Sequence, residues 1–132
     1  MTDSIHRWPW GRRRQGALYL AIPRAGALLF GSLYFWGGVA FALMHGHRAG
    51  PSSLLLAFII VEFLTNQSKY FLNDVRDAGS DREHPRKDNR AVAAGAISRR
   101  TACLVGAARV LVASGLSAAF APILLPTVAL VL

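Results

Sequence analysis

The chain has 132 residues, enough for one domain, and 53% of them are hydrophobic. Its formal net charge of +8 would suit a nucleic-acid partner, but the basic residues flank apolar blocks and form no stripe interleaved with aromatics. The composition therefore argues against nucleic-acid binding and predicts a membrane protein. The single cysteine, Cys103, excludes an internal disulfide and a cysteine-based zinc cluster.

Three apolar blocks follow one another along the chain, and each is long enough to predict a membrane-spanning helix. They are residues 25–44, 52–72 and 101–132. The first carries no formal charge, and as a helix it would be about 30 Å long, the thickness of the hydrocarbon core. We therefore predict an all-α, polytopic transmembrane helix bundle of about three to four spans over residues 25–132, preceded by an amino-terminal arm over residues 1–24.

The distribution of basic residues predicts the topology of these spans. Arginines and lysines crowd the arm and the connection between the second and third blocks, residues 73–100, whereas the turn at residues 46–52 carries only Arg48. Lysine and arginine near short loops mark the cytoplasmic side of a membrane. We expect the arm and the Asp-rich connection to be cytoplasmic and the turn at 46–52 to lie outside.

The second apolar block carries polar residues at intervals of three or four. They are Glu62, Asn66, Lys69 or Tyr70, Asn73 and Asp77. Polar and ionisable groups at membrane depth are costly and usually face a bundle interior or a watery cavity. A Glu62–Lys69 pair that only assists helix association is the alternative. Because the stripe continues into the aspartates that follow, we favour a cavity wall.

A cluster of acidic and amide side chains ends this block. On a helix, Asn73, Asp77 and Asp81 would share one face with Asp74 alongside. Clustered carboxylates repel one another unless a positive charge lies between them, and Mg²⁺ prefers oxygen ligands, with one or two carboxylates and substrate phosphates. The cluster predicts a metal-held phosphate or diphosphate at the membrane surface.

A charge-dense connection follows the cluster. Pro85 is expected to end the helix near His84 because proline lacks an N–H and restricts the residue before it. The connection is too polar to enter lipid, and it has two interpretations. It is either an ordinary solvated loop or a segment from which Lys87 and Arg90 reach an anionic substrate.

These residues together resemble the UbiA superfamily of intramembrane prenyltransferases. The resemblance begins with an N-D-x-x-D-x-x-x-D pattern, formed here by Asn73, Asp74, Asp77 and Asp81. It continues in a basic connection that ends in arginine, and then in a small-residue stretch. The matching positions are Lys87, Arg90, Gly95, Ile97 and Ser98.

Within the superfamily, one stretch looks most like the decaprenyl-phosphate phosphoribosyltransferase branch. It is Asp81-Arg82-x-His84-Pro85-x-Lys87-x-x-Arg90-x-x-Ala93-Ala94-Gly95. That resemblance implies transfer of phosphoribosyl from phosphoribosyl diphosphate to a polyprenyl phosphate for cell-wall biosynthesis, in a bacterial inner (plasma) membrane. The other branch under consideration transfers polyprenyl chains to aromatic acids such as 4-hydroxybenzoate in quinone biosynthesis.

The resemblance also implies roles for individual residues. Mg²⁺ would be held by Asp74, Asp77 and Asp81, the catalytic residues, with Asn73 as a neutral ligand that also contacts substrate. Lys87 and Arg90 would bind phosphate. The acceptor would lie against the polar stripe, at Glu62, Asn66 and Tyr70. The implied partners are a polyprenyl lipid, a diphosphate-containing donor and membrane lipids.

The resemblance covers only the first half of the family's nine-helix fold. Family members carry a second motif, D-x-x-x-D, in the other half of the bundle, and residues 1–132 contain no such separate motif beyond the Asp77–Asp81 part of the first one. We therefore expect this chain to be an amino-terminal fragment that is inactive alone. A truncated membrane module without catalytic activity is the alternative.

Overall fold

The computed structural model describes residues 12–84, 87 and 90–131, and every regular element in them is helical. The elements are α1 (Arg12–Ala21), α2 (Ala25–Met44), α3 (Pro51–Phe58), a π-helix (Ile59–Asn66), α4 (Gln67–Glu83), α5 (Arg99–Phe120), a 3-10 turn (Pro122–Leu124) and α6 (Leu125–Val131). The prediction of an all-α bundle is confirmed. The first eleven residues of the predicted arm lie outside the described residues.

Local sequence explains where the helices begin and end. The uncharged run Ala25–Met44 forms one helix with the predicted bounds, and Gly46 follows it with a φ of 82°, a conformation that favours glycine. Pro51 occupies the first turn of α3, where its missing N–H costs nothing. Ser98 caps α5 by accepting a hydrogen bond from the Thr101 N–H at 3.0 Å.

Two helical stretches of the described chain are long and apolar enough to cross a membrane, Gly16–Met44 and Arg99–Phe120. The predicted second span belongs to a longer helical rod made of α3, the π-helix and α4. α4 ends at Glu83, as predicted near His84, while Pro85 itself lies outside the described residues. The motif Asn73–Asp81 is therefore helical throughout, and the connection begins only after it.

The helices pack around two apolar clusters. The larger one joins α1, α4, the connection and α5 through Tyr19, Phe71, Ala78, Ala91, Val92, Ile97 and Ala102. The smaller one joins the π-helix, α5 and α6 through Ile60, Ala113 and Val128. α4 approaches α5 closely because Gly106 has no side chain, and a Cβ there would lie 3.2 Å from Phe71 Cβ. The larger cluster fixes the half of α4 that carries the motif.

Residues 90–97 of the connection fold back onto α4 as a hydrogen-bonded turn. The amides of Ala96 and Ile97 donate to the Ala91 carbonyl at 2.8 and 3.1 Å, and Gly95 has a φ of 70°. Ala91, Val92 and Ile97 are buried. Because these apolar side chains anchor the turn, Arg90 at its start is held beside the motif.

Candidate functional site

The π-helix changes which residues of the rod face the bundle. In it the side-chain hydroxyl of Thr65 donates to the Ile60 carbonyl five residues earlier, at 2.7 Å. A wider turn shifts the helical register, so buried Glu62 is followed on its face by buried Gln67, five residues later. A stripe extrapolated from Glu62 at α-helical spacing therefore misses the buried face of α4 by one residue.

The buried face of α4 is a heptad-like row with three polar members. It consists of Gln67, Phe71, Asp74, Ala78 and Asp81, each at most 2% exposed. Residues spaced by three and four lie on one side of a helix, which is why these five face α1, α5 and the connection together. Two carboxylates are thus buried on one helix face, two turns apart.

Asp74 is bound by side chains from three parts of the chain. Its Oδ1 accepts a hydrogen bond from the Arg24 guanidinium at 2.6 Å, and its Oδ2 accepts from the Tyr19 hydroxyl at 3.0 Å. Arg90 Nη1 lies 3.7 Å from the same Oδ1. Such charge-assisted bonds compensate for the desolvation of a buried carboxylate.

Asp81 is bound by the connection. Arg90 Nη1 donates to its Oδ2 at 2.7 Å, and Lys87 Nζ lies 3.8 Å from its Oδ1. Arg90 therefore bridges the two buried aspartates. We call Arg24, Asp74, Asp81, Lys87 and Arg90 the ion-pair cluster. It has more basic than acidic side chains and is net positive.

Gln67 fixes the backbone from which Arg24 extends. The Arg24 N–H donates to Gln67 Oε1 at 3.1 Å, and Gln67 Nε2 donates to the Arg24 carbonyl at 3.4 Å. Gln67 is fully buried and lies seven residues before Asp74. The same helix face therefore holds both the backbone and the guanidinium of Arg24, at the break between α1 and α2.

The predicted polar stripe begins at Glu62, which is buried, and its later members lie beside the buried face and are half-buried. These later members, which we call the outer stripe, are Asn66, Lys69, Tyr70, Asn73 and Asp77. The Asp77 side chain is 39% exposed, and its Oδ1 accepts a hydrogen bond from Arg76 Nε at 3.1 Å. The motif is thus divided, because Asp74 and Asp81 lie inside the ion-pair cluster while Asn73 and Asp77 lie on this outer stripe.

Glu62 lies deeper along the rod, where α2 crosses the π-helix. Its Oε2 accepts a hydrogen bond from Asn66 Nδ2 at 2.9 Å, and Asn66 Oδ1 is buried without a hydrogen-bond partner among the described residues. Gly31 of α2 covers this pair so closely that a Cβ there would overlap Glu62 Oε2. The arrangement brings Glu62 and Asn66 together, as the stripe predicts, and leaves one buried acceptor oxygen without a partner among the described residues.

The oxygen atoms of the motif's side chains are suitable ligands for a hard cation such as Mg²⁺ only in part. The described residues contain no group of three histidine, cysteine, aspartate or glutamate side chains that could hold a metal ion. The carboxylate of Asp77 and the amide of Asn73, one helical turn apart on the outer stripe, are oxygen donors of the kind Mg²⁺ uses with substrate phosphates. The carboxylates of Asp74 and Asp81 are already paired with arginine side chains.

Three residues of the site were not predicted as site residues from the sequence. Arg24 served only as a topology marker, and Tyr19 and Gln67 had no assigned role. The heptad spacing of Gln67, Asp74 and Asp81 is the one signal that could have identified Gln67. Nothing local marks Tyr19 or Arg24, because their role depends on how α1 packs against α4.

A model of the UbiA prenyltransferase family matches residues 32–132, most of the chain. The match includes all four residues of the motif and the connection, and it begins after α1 and Arg24. No curated protein and no solved structure matches the chain.

Proposed function

The chain belongs to the UbiA prenyltransferase family, and from that premise we propose that it transfers phosphoribosyl from phosphoribosyl diphosphate to a polyprenyl phosphate with Mg²⁺. Family membership supports an intramembrane prenyltransferase, and the described residues include two helical stretches that are long and apolar enough to cross a membrane. The phosphoribosyl assignment rests on the stretch from Asp81 to Gly95. The bacterial plasma membrane and the cytoplasmic placement of α4's motif are parts of the same proposal.

The observation that carries the proposal is the net positive ion-pair cluster at the end of the rod. Three basic side chains from two separate segments converge on two aspartates, and all three remain partly exposed. Guanidinium and ammonium groups bind phosphate oxygens with the same geometry they use for carboxylates. A diphosphate-containing donor can therefore replace Asp74 and Asp81 as the partner of Arg24, Lys87 and Arg90.

Asn73 and Asp77 are the residues that would hold Mg²⁺ against the donor. Asp74 and Asp81 would become further oxygen donors on the adjoining face if the basic side chains turned to the diphosphate. The bound ion supplies positive charge that stabilises the leaving diphosphate. Arg24, Lys87 and Arg90 would hold the leaving diphosphate in one orientation.

The polar stripe supplies a wall for the acceptor. Glu62, Asn66 and Tyr70 lie along the rod, in the turns that precede the motif. Asn66 Oδ1 is buried without a partner among the described residues, and a hydroxyl or protonated phosphate oxygen of the acceptor that reached it would satisfy it. The polyprenyl chain would extend along the apolar surfaces next to it.

The test is an assay of membranes that contain the product of the complete reading frame. They are supplied with labelled phosphoribosyl diphosphate and decaprenyl phosphate, with Mg²⁺ or with EDTA. We expect a phosphoribosylated lipid that forms only with Mg²⁺. A parallel reaction with a polyprenyl diphosphate and 4-hydroxybenzoate covers the aromatic branch, and product there alone would replace the phosphoribosyl assignment.

The same assay separates an enzyme from a membrane module. Residues 1–132 expressed alone are expected to show no turnover, since the second Asp-rich motif of the family is absent from them. Turnover by residues 1–132 would contradict that expectation. Absence of both products from the complete reading frame would favour a non-catalytic module.

A further inference from the structure

Arg109 is an arginine in the middle of an otherwise apolar helix that is long enough to cross a membrane. It is the eleventh residue of α5, whose other charged residues, Arg99 and Arg100, are at its beginning. Charged side chains at membrane depth are costly, so an arginine in such a helix normally has a specific partner or task. Neither the family motif nor the proposed chemistry uses Arg109.

The guanidinium of Arg109 binds carbonyl oxygens of two other elements. Its Nη2 donates to the carbonyls of Leu20, at 2.9 Å, and Ala21, at 2.5 Å. Its Nη1 donates to the Phe63 carbonyl in the π-helix at 3.4 Å. One side chain of α5 is therefore bonded to the carboxyl end of α1 and to the middle of the rod.

Two aromatic rings enclose the same guanidinium. Its Cζ lies 5.1 Å from the centre of the Phe63 ring and 5.4 Å from that of Phe71. A cation over a ring face is stabilised by the ring quadrupole, and more so away from water. The rings therefore offset part of the desolvation cost, and they restrict the guanidinium to the orientation in which it reaches α1.

The carbonyls of Leu20 and Ala21 end α1, because residues 22–24 leave the helix at Pro23. The last carbonyls of a helix have no partner within it and carry the negative end of the helix dipole. A cation that donates to two of them fixes both the position and the rotation of α1. Lysine cannot reproduce this, since it lacks the planar fork of donors.

The rotation of α1 decides whether Asp74 has its partners. Tyr19 is within the last turn of α1 and donates to Asp74, and Arg24 follows three residues after the helix and pairs with the same carboxylate. Phe71, one turn before Asp74 on α4, contacts both the Tyr19 ring and Arg109. Arg109 is thus linked to Tyr19 through the Phe71 ring, and to the end of α1 through the Leu20 and Ala21 carbonyls, without touching Asp74.

We propose that Arg109 is a positioning residue that holds α1 in the orientation required for Tyr19 and Arg24 to bind Asp74. It acts through α1 and contacts no reacting group. The link from this orientation to donor binding rests on the proposed function. The orientation itself does not, and it can be measured without turnover.

The first experiment measures hydrogen–deuterium exchange of the protein in detergent micelles. In Arg109→Lys we expect the amides of residues 16–24 to exchange at least about tenfold faster, with those of α2 and α5 unchanged. Arg100→Lys, at the exposed beginning of the same helix, is the matched control and should match the wild type. If Arg109→Lys does not fold, Phe63→Leu removes one ring and keeps the carbonyl, and it should give the same local change at smaller size.

The second experiment asks whether Arg109 controls the Arg24–Asp74 contact. Melting temperatures are measured for Arg24→Gln, Asp74→Asn and the double variant, in the wild-type and in the Arg109→Lys background. In the wild-type background the two shifts should not add, because the residues are coupled. In the Arg109→Lys background they should add, because the contact has already been lost.

The outcomes distinguish positioning from a general structural role. Uniformly faster exchange, or coupling that persists in Arg109→Lys, would overturn the proposal. In the phosphoribosyl assay, Arg109→Lys should raise the KM for the donor by about tenfold, with little change in kcat. This is less than the roughly 100-fold effect that a misplacement of about 1 Å in a binding group can have. If no variant or wild-type protein shows turnover, the proposed function fails while the exchange and coupling results still decide the role of Arg109.

Discussion

Two neighbouring faces of α4 differ in what they do with the same residue type. The buried face places Asp74 and Asp81 against Arg24, Lys87 and Arg90, so each carboxylate is neutralised within the chain. The outer stripe places Asp77 beside Arg76 in a pair that is largely open to solvent. A surface pair of this kind contributes little to stability, whereas removing one member of a buried pair is costly.

The difference indicates two tasks for one motif. Asp74 and Asp81 position the basic side chains that we propose bind the donor. Their contacts also hold α1 and the segment after α4 against α4. Among the described residues, Asp77 makes no ion pair with these basic side chains, and together with Asn73 it can bind a metal cation. On this view the aspartates are not interchangeable ligands of one metal cage.

The largest effect is expected for Asp77→Asn. If Asp77 holds the cation that stabilises the leaving diphosphate, its loss should lower kcat by about 100-fold or more, while the melting temperature stays at the wild-type value. Arg76→Gln removes the partner of Asp77 and is the matched control, with activity expected to remain. Normal activity in Asp77→Asn would refute the metal role assigned to the outer stripe.

Asp74→Asn should lose both stability and activity. The amide cannot accept the charge-assisted bond of Arg24 as a carboxylate does, and a lost hydrogen bond to a charged group costs roughly 1.5–3 kcal/mol. Thermal unfolding in detergent measures the loss, and insertion into membranes should be unchanged. Equal melting temperatures for Asp74→Asn and Asp77→Asn would remove the distinction between the two faces.

Arg24→Gln should act mainly on donor binding. Its guanidinium is the closest basic partner of Asp74 and is partly exposed, so it can turn to a phosphate. We expect the KM for the donor to rise about tenfold, equivalent to about 1.4 kcal/mol, with a smaller change in kcat. A KM equal to that of wild type would show that Arg24 only serves Asp74.

Sequence patterns could predict much of this fold because its signals are local. The uncharged run Ala25–Met44 gave a helix with the predicted bounds, and the helix that carries the motif ends near His84 as expected. The cytoplasmic arm over residues 1–24 stays a prediction, although the structure joins α1 to the core through Tyr19. The roles predicted for the site residues remain predictions too.

The part that could not be predicted depends on register and on distant packing. An α-helical period carried forward from Glu62 selects Asn66, Asn73 and Asp77, but the π-helix moves the buried face to Gln67, Asp74 and Asp81. No residue pattern reveals a π-helix in an apolar run. The contact of Tyr19 with Asp74 spans 55 residues and requires α1 to be in place, which Arg109 and Gln67 secure from other helices.

The smallest effect is expected for Tyr19→Phe, which tests how far the buried face depends on a single hydrogen bond from a neutral donor. Phenylalanine keeps the edge-on contact with Phe71, whose ring centre is 5.1 Å away, and removes only the hydroxyl that donates to Asp74. Because Arg24 still binds the other oxygen, we expect a loss of about 1.5 kcal/mol in unfolding free energy, the low end for a hydrogen bond to a charged group, and activity within about twofold. Tyr34→Phe on the exposed side of α2 is the control and should change neither quantity. A loss as large as that of Asp74→Asn would mean that Tyr19, and not the arginines, is the main partner of the buried carboxylate.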